Sequence, residues 1–289
     1  MLTLTLGTFA LSIHHLLLLL ALALATLVGW RVAKGGGENP ESVLFGLFML
    51  GMLVARISFV IAYWAYFRDD PLQMLDIRDG GFLPWPGLLA LLLGCAVFCW
   101  RRPTLRRSLG LGLGTGLVFW LLSSLSLNLY EQGTRLPELT LRDAQGQSVQ
   151  LRDYQGGPLV INLWATWCPP CRREMPVLQK AQHERQDVTF LFVNQAESLQ
   201  SVSTFLMTQG LNLNNVLFDG SGQMAQSVGS MALPTSLFYN AEGRLLGTHL
   251  GELSEASLAR ALETFGPPPS TSAVPATARK PSCPSTATC

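Results

Sequence analysis

Cys168 and Cys171 stand three apart around Pro169-Pro170, directly after Trp167, and are the residues of this 289-residue chain best placed for covalent chemistry. An apolar run at 158–165 precedes them as a buried strand. Residues 170–185 follow as a helix with proline in its first turn. Two cysteines at this spacing on a strand–helix junction read as a redox pair. In the first helical turn, residues i and i+3 approach closely enough to form a disulfide. Cys168 falls at the helix N-terminus, where free backbone N–H groups and the helix dipole stabilise a thiolate, so it is the expected attacking sulfur. Cys171, one turn deeper, is the expected resolving thiol. The competing reading, half of a zinc site, needs a second ligand pair. Residues 131–266 hold no other cysteine and only the scattered His183 and His249, so neither a metal nor a cofactor is expected.

A second mark lies downstream at Ala232-Leu233-Pro234-Thr235. Proline is the usual home of a cis peptide bond. A cis Pro234 beside the sulfurs would leave the Leu233 backbone free to pair with an extended client strand. Trp167, Leu233 and Thr235 are the expected client-contacting residues.

The elements that must position these groups follow from the pattern. Residues 139–141 and 148–151 form a hairpin around Ala144-Gln-Gly146, and 188–194 is a second buried strand. Residues 199–209 are helical, 216–218 a short strand and 224–228 helical. Strands 235–239 and 245–250 flank the turn Asn240-Ala-Glu-Gly243, and 255–265 is a closing helix. A βαβ unit followed by a hairpin and a helix predicts an α/β domain with a mixed sheet.

On the residues Asn162-Leu-Trp-Ala-Thr-Trp-Cys-Pro-Pro-Cys171, Arg173-Glu174-Met-Pro176, Leu233-Pro-Thr235 and Asn240-Ala-Glu-Gly243, residues 136–265 resemble the TlpA/ResA group of thioredoxin-like proteins. The resemblance implies a thioredoxin-like fold and protein-disulfide oxidoreductase activity, with nucleophile and resolving roles for Cys168 and Cys171 and a cis bond at Pro234. It also implies tethering to the outer face of the bacterial inner membrane and exchange with exported cysteine-containing proteins, apocytochromes c among them. A membrane electron donor or acceptor must then serve the pair. Reduction of clients is the favoured direction, although Pro169-Pro170 does not fix its sign. Asn162 stands where cytosolic thioredoxins carry a buried Asp. Proton handling is expected to pass to Glu197, which resembles the group's acidic position; the other reading of Glu197 is a helix-start carboxylate stabilised by the dipole.

The first 130 residues are of another kind. Crossing a bilayer takes about 20 apolar residues in a helix. Segments 9–30, 43–67, 82–100 and 109–129 qualify, the third interrupted at its start by Pro84 and Pro86 so that its firm helix is 87–100. Arg31 and Lys34 follow the first span, and Arg101, Arg102, Arg106 and Arg107 separate the third from the fourth. Excess Lys/Arg marks the cytoplasmic side, so both chain ends and the soluble half are expected outside it, as a multi-pass inner-membrane protein with a periplasmic domain. No positive charge precedes the first apolar run, so it reads as an uncleaved span rather than a signal peptide.

Arg56 lies near the middle of the second span. An ionised side chain there must be paired or hydrated. A lipid-headgroup contact and a structural ion pair are both open. His14 and His15 are adjacent and face different ways, which makes a metal site from them improbable. Gly110, Gly112, Gly114 and Gly116 read as helix packing.

Residues 52–63 (Met52-Leu-Val-Ala-Arg56-Ile-Ser-Phe-Val-Ile-Ala-Tyr63) and 71–81, ending in Gly80-Gly81, resemble the N-terminal part of prolipoprotein diacylglyceryl transferases over about 10–100. That family follows its Gly-Gly pair with a His-Gly-Gly-Leu catalytic loop. This chain has Trp85-Pro86-Gly87-Leu88, and the later family motif with its essential arginine has no counterpart. The expectation is a degenerate scaffold; the alternative is retained lipid binding or transferase-like activity with the redox domain as an accessory.

The remaining cysteines fall into two pairs. Cys95 and Cys99, one turn apart in the third span, read either as small buried hydrophobes or as an electron relay. Cys283 and Cys289 lie in a Pro/Ser/Thr-rich tail, 267–289, expected to be disordered, where they form a simple disulfide or serve a redox role. A net charge of +1, with nine Lys/Arg against thirteen Asp/Glu over 131–266, points away from nucleic acid. The expected architecture is an α-helical membrane domain of four spans (1–130) carrying an α/β thioredoxin-like domain (131–266).

Overall fold

The computed structural model describes residues 3–6, 9–68 and 70–266. The tail, with Cys283 and Cys289, lies outside the described residues.

The chain opens on two short strands, β1 (Thr3–Leu6) and β2 (Phe9–Ser12), paired antiparallel with Thr3 opposite Ser12. This corrects the expected first span, which does not begin at Phe9. Thr3-Leu4-Thr5-Leu6 alternates with the period of a strand, and the Ser12 side chain caps the helix that follows by accepting from the His14 N–H at 3.3 Å. Helix α1 (Ile13–Ala33) then runs 21 residues. Helix α2 (Glu41–Ala62) stops five residues short of the expected end, and Trp64–Phe67 forms a separate turn, α3. Helix α4 (Pro84–Arg101) starts at its prolines instead of being interrupted by them. The first-turn N–H groups have no intrahelical partner anyway, so Pro84 and Pro86 lose nothing there. Helix α5 (Arg106–Gly133) is the longest, at 28 residues. Among the described residues, four helices are thus long and apolar enough to cross a membrane.

Small residues set how these helices pack. A Cβ on Gly112 would lie 2.6 Å from the Ala25 carbonyl oxygen, and one on Gly116 would lie 2.8 Å from that of Ala21. Gly110 and Gly114, on the other side of α5, meet nothing within 4 Å. Only two of the four glycines therefore pack against α1, and their spacing of four places them on one helix face.

The soluble half is a seven-stranded mixed sheet in the order β4-β3-β7-β6-β5-β8-β9. Its strands are β3 (Thr140–Arg142), β4 (Ser148–Gln150), β5 (Leu159–Trp164), β6 (Thr189–Gln195), β7 (Val216–Asp219), β8 (Thr235–Tyr239) and β9 (Leu245–Leu250). Strands β5, β6 and β7 are parallel, while β8 and β9 continue the sheet antiparallel. The six residues of β5 are all buried and alternate between two cores. Val160 and Trp164 face α6 (Pro169–Glu184), α7 (Leu199–Gln209) and α9 (Glu255–Leu262). Leu159, Ile161 and Leu163 face α8 (Gln223–Ser227) and Leu136, Leu141 and Leu151. A strand covered on both faces reads as an unbroken apolar run, which is how the sequence shows it.

The two halves are joined closely. Two residues beyond the end of α5, Arg135 bridges to Arg244, Leu245 N–H donates to the Thr134 carbonyl at 2.9 Å, and Leu136 N–H donates to that of Gly243 at 2.8 Å. The loop between α3 and α4 touches the soluble domain as well. Ser254 Oγ donates to Asp79 Oδ2 at 2.8 Å, and Arg260 Nη1 to the Phe82 carbonyl at 2.5 Å. Tyr63, at the end of α2, donates its hydroxyl to Glu263 Oε1 at 2.8 Å.

Candidate functional site

Strand β5 ends at Trp164, and the chain turns through Ala165-Thr166-Trp167 into α6, placing Cys168 at the N-cap. Its sulfur accepts from the Cys171 N–H at 3.3 Å, filling one of the orphan donors of the first turn. Cys168 and Cys171 form a disulfide, with Cα atoms 5.3 Å apart. Cys171 is fully buried and Cys168 retains 3% exposure, while the Trp167 side chain beside them is 67% exposed. Of the two sulfur-bearing residues, only Cys168 retains any solvent exposure.

Glu197 does not enter the sulfur pair's immediate surroundings as an isolated acid. Its carboxylate accepts from the Thr166 N–H (2.7 Å), the Thr166 hydroxyl (2.5 Å) and the Asn194 amide (2.7 Å). These bonds clamp the turn that delivers Cys168. The Leu233–Pro234 bond is cis, and the Pro234 carbonyl accepts from Gly251 N–H at 3.0 Å. Thr235 is fully enclosed. Its hydroxyl donates to the Ala232 carbonyl at 2.7 Å and pairs with Ser230 at 2.9 Å, so its side chain shapes the loop. Leu233 is half-buried and stays at the surface of this loop.

The residue that sequence reasoning passed over is Glu174. It is fully buried three residues after Cys171, on the α6 face that also carries Met175 and Leu178. Asn162 Nδ2 donates to its Oε1 at 2.8 Å and Leu253 N–H to its Oε2 at 3.0 Å. Burial pushes its carboxyl up from 4.5 to about 8, against these two hydrogen bonds, which favour the charged form. Asn162 also donates to Ser236 Oγ at 3.0 Å, while its own Oδ1 is buried without a partner. A signal was available. In an amphipathic helix a residue three after a buried one shares its face, and Glu174 sits where that pattern asks for an apolar side chain.

Elsewhere, Cys95 and Cys99 are half-buried free thiols with sulfurs 4.0 Å apart, within hydrogen-bond reach and not joined as a disulfide. Arg56 resolves to an ion pair, 2.9 Å from Asp79 Oδ1 with both side chains buried. Its guanidinium also donates to the carbonyls of Gln73, Met74, Asp76 and Gly81. Among the described residues, no group of three or more His, Cys, Asp or Glu could hold a metal.

The redoxin family model matches residues 131–262, and the prolipoprotein diacylglyceryl transferase model matches 1–111. Thiol-disulfide oxidoreductase ResA of Halalkalibacterium halodurans is 30% identical over 142 residues, which cover 48% of this chain and 80% of that protein. The chain belongs to the ResA-type thiol-disulfide oxidoreductases. ResA of Bacillus subtilis is 29% identical over 156 residues, half of this chain and 87% of that protein. A solved thiol:disulfide interchange protein of the thioredoxin family from Chlorobium tepidum is 26% identical, covering 46% of this chain and 95% of its own, with a TM-score of 0.41. This ResA-type chain is a protein-disulfide oxidoreductase of cysteine-containing substrates, and its redox domain is carried by a helical membrane half.

Proposed function

We propose that this protein reduces disulfides in exported proteins from the extracytoplasmic face of the bacterial inner membrane. The observation that carries this reading is the Cys168–Cys171 disulfide at the N-terminus of a helix that carries a buried carboxyl, Glu174, three residues further on. In the reduced enzyme the Cys168 thiolate attacks one sulfur of a client disulfide. A mixed disulfide forms and the first client thiolate leaves. Glu174 takes the proton of Cys171, whose thiolate then attacks Cys168. This breaks the mixed disulfide, releases the second client thiolate and leaves the enzyme oxidised by two electrons. A membrane dithiol donor resets the pair. Clients dock in extended form along Leu233 and the exposed Trp167, beside cis Pro234, while Glu197 holds the Cys168 turn. Apocytochromes c, which must be reduced before haem attachment, are clients of the right chemistry.

Placement outside the cytoplasm is supported by the loop charges and by one internal agreement. With four spans, the loop at 70–83 and the soluble domain fall on the same side of the membrane, and these are the segments joined through Asp79–Ser254 and Arg260–Phe82. We read 1–130 as the membrane domain and 131–266 as the catalytic one.

The reading is tested by trapping. With Cys95, Cys99, Cys283 and Cys289 replaced by Ser, Cys171→Ser is expected to accumulate mixed disulfides with clients that dissolve on reduction. Cys168→Ser is expected to trap none, and Pro234→Thr to prolong the complexes. Equal trapping by both cysteine variants would sink the role assignment.

A second reading, lipid binding by the membrane half, is favoured by an apolar cavity of about 360 Å³ among the spans, lined by Phe48, Met52, Leu88 and Trp120 with His14 and His15 at its rim. With Trp85 in the place of a catalytic histidine, no transfer of diacylglyceryl from phosphatidylglycerol to a lipoprotein peptide is expected. Turnover abolished by Arg56→Ala would restore the transferase.

A further inference from the structure

The loop between α3 and α4 is folded around Arg56, which draws five of its acceptors inward. Asp79 Oδ1 is used in that fold: it accepts from Arg56 Nη1 at 2.9 Å and from the Gly81 N–H at 3.1 Å. Its other oxygen is turned outward to accept from Ser254 Oγ. Ser254 is the N-cap of α9; its oxygen accepts from the Ser257 N–H at 3.1 Å, which leaves its single proton for Asp79. One residue earlier, the Leu253 N–H is the second anchor of Glu174.

The segment at 249–254 therefore meets the membrane half on one side and the redox centre on the other. Gly251 N–H holds the Pro234 carbonyl. Glu252 is gripped by Arg173, the neighbour of Glu174, at 2.5 Å, and its carbonyl accepts from His249 at 3.2 Å. Gly80, next to Asp79 and at φ 63°, packs directly on His249: a Cβ there would lie 3.2 Å from its ring.

We infer that Asp79 of the membrane half is a positioning residue for disulfide exchange, holding the Leu253 amide against Glu174 through Ser254. The inference rests on the reading of Glu174 as the proton acceptor for the thiols. The membrane half is then more than an anchor: it sets part of the environment in which the acid titrates. The other groups facing Glu174 do not supply this. Glu252 raises its proton affinity and is itself held by Arg173, and burial pushes the His249 imidazole below its usual range. The Asp79 charge is offset by Arg56. A backbone N–H aimed at a carboxylate favours its charged form, so loosening Leu253 raises the proton affinity of Glu174 and delays its uptake of the Cys171 proton to higher pH.

Two other docking contacts, Arg260–Phe82 and Tyr63–Glu263, lie further along α9 and its extension and touch neither Leu253 nor Glu174. They separate positioning from simple attachment. The experiment is the pH dependence of the resolving step in the reduced, full-length protein in nanodiscs, with Cys95, Cys99, Cys283 and Cys289 as Ser: the second thionitrobenzoate released from 5,5′-dithiobis(2-nitrobenzoate) reports Cys171 attacking the mixed disulfide at Cys168. Asp79→Asn and Ser254→Ala are expected to move the midpoint upward by about one pH unit, the scale of one charge-assisted hydrogen bond. Ser254→Thr, which keeps the hydroxyl, and Arg260→Gln are expected to retain the wild-type midpoint. Should Asp79→Asn fail to fold around Arg56, the Ser254→Ala and Ser254→Thr pair carries the test alone. If Glu174→Gln reshapes the profile while folded Ser254→Ala leaves it unmoved, the inference is overturned and the reading of Glu174 stands. The same holds if Arg260→Gln gives the Ser254→Ala shift. If Glu174→Gln changes nothing, both fall.

Discussion

Arg56 in the membrane half and Glu174 in the soluble half are both buried, and the two are treated in opposite ways. Arg56, within a membrane span, is surrounded by four carbonyls and a carboxylate, and every partner comes from one loop of the same half. Glu174, inside the soluble domain, receives two hydrogen bonds and sits beside an amide oxygen with no partner. A buried charge that is fully paired is fixed in one state and serves as scaffold. A buried acid that is incompletely solvated stays close to the point of changing its charge, which suits proton transfer. Both residues are buried; completeness of pairing separates structure from chemistry.

That contrast can be broken most forcefully at Arg56. Arg56→Met leaves the Asp79 carboxylate uncompensated and releases four carbonyls, a loss of about 3–5 kcal/mol by analogy with other broken buried pairs. Thermal unfolding in detergent is expected to show the membrane half melting early or failing to accumulate. An unchanged transition would mean that the pair is not a scaffold.

Glu174→Gln is the next largest change, and its sign depends on pH. The carboxyl rises from 4.5 to about 8 on burial, so between those values the folded chain holds a proton that the unfolded chain has lost. This contribution to stability is greatest below the unfolded value and declines as the pH climbs through the folded one. The Gln variant is expected to lack that decline and to melt higher than wild type above pH 8, at roughly 4 °C per kcal/mol recovered. Its exchange rate near neutral pH is expected to fall at least about tenfold. A variant that is both less stable at high pH and fully active would remove Glu174 from the proton path.

The smallest effect is expected at Arg173, whose pair with Glu252 is half exposed. Arg173→Ala is expected to cost no more than about 1 kcal/mol, less at high salt. A loss as large as that of Arg56→Met would show that the segment at 249–254 matters to the whole domain.

The sulfur pair, its place on the helix and the cis Pro234 were legible because each is encoded within a few neighbouring residues. The order of soluble elements was legible for the same reason, from apolar runs and turn residues. Glu174 was legible in principle, three after Cys171, yet it sits inside a charged stretch, Arg172-Arg173-Glu174, that looks like a solvated face. The strand pair ahead of α1 was masked by the apolar run it adjoins. Asp79–Ser254 spans 175 residues of sequence, and no local pattern announces such a partner. Arg56 announced its need for one, without saying which.

Helix α5 continues for 28 residues, about 42 Å at the usual helical rise, against a hydrocarbon core of about 30 Å. It then enters the sheet through Arg135 and Leu136 with no flexible spacer. A domain on a loose tether sweeps a hemisphere and meets partners by diffusing toward them. One mounted on a continuing helix and clasped at Asp79, Phe82 and Tyr63 works at a single altitude above the bilayer, and explores its surroundings only by sliding in the plane of the membrane. Encounter is then two-dimensional for partners that are themselves membrane-bound, and their local concentration at the sulfurs is set by lateral density rather than by volume.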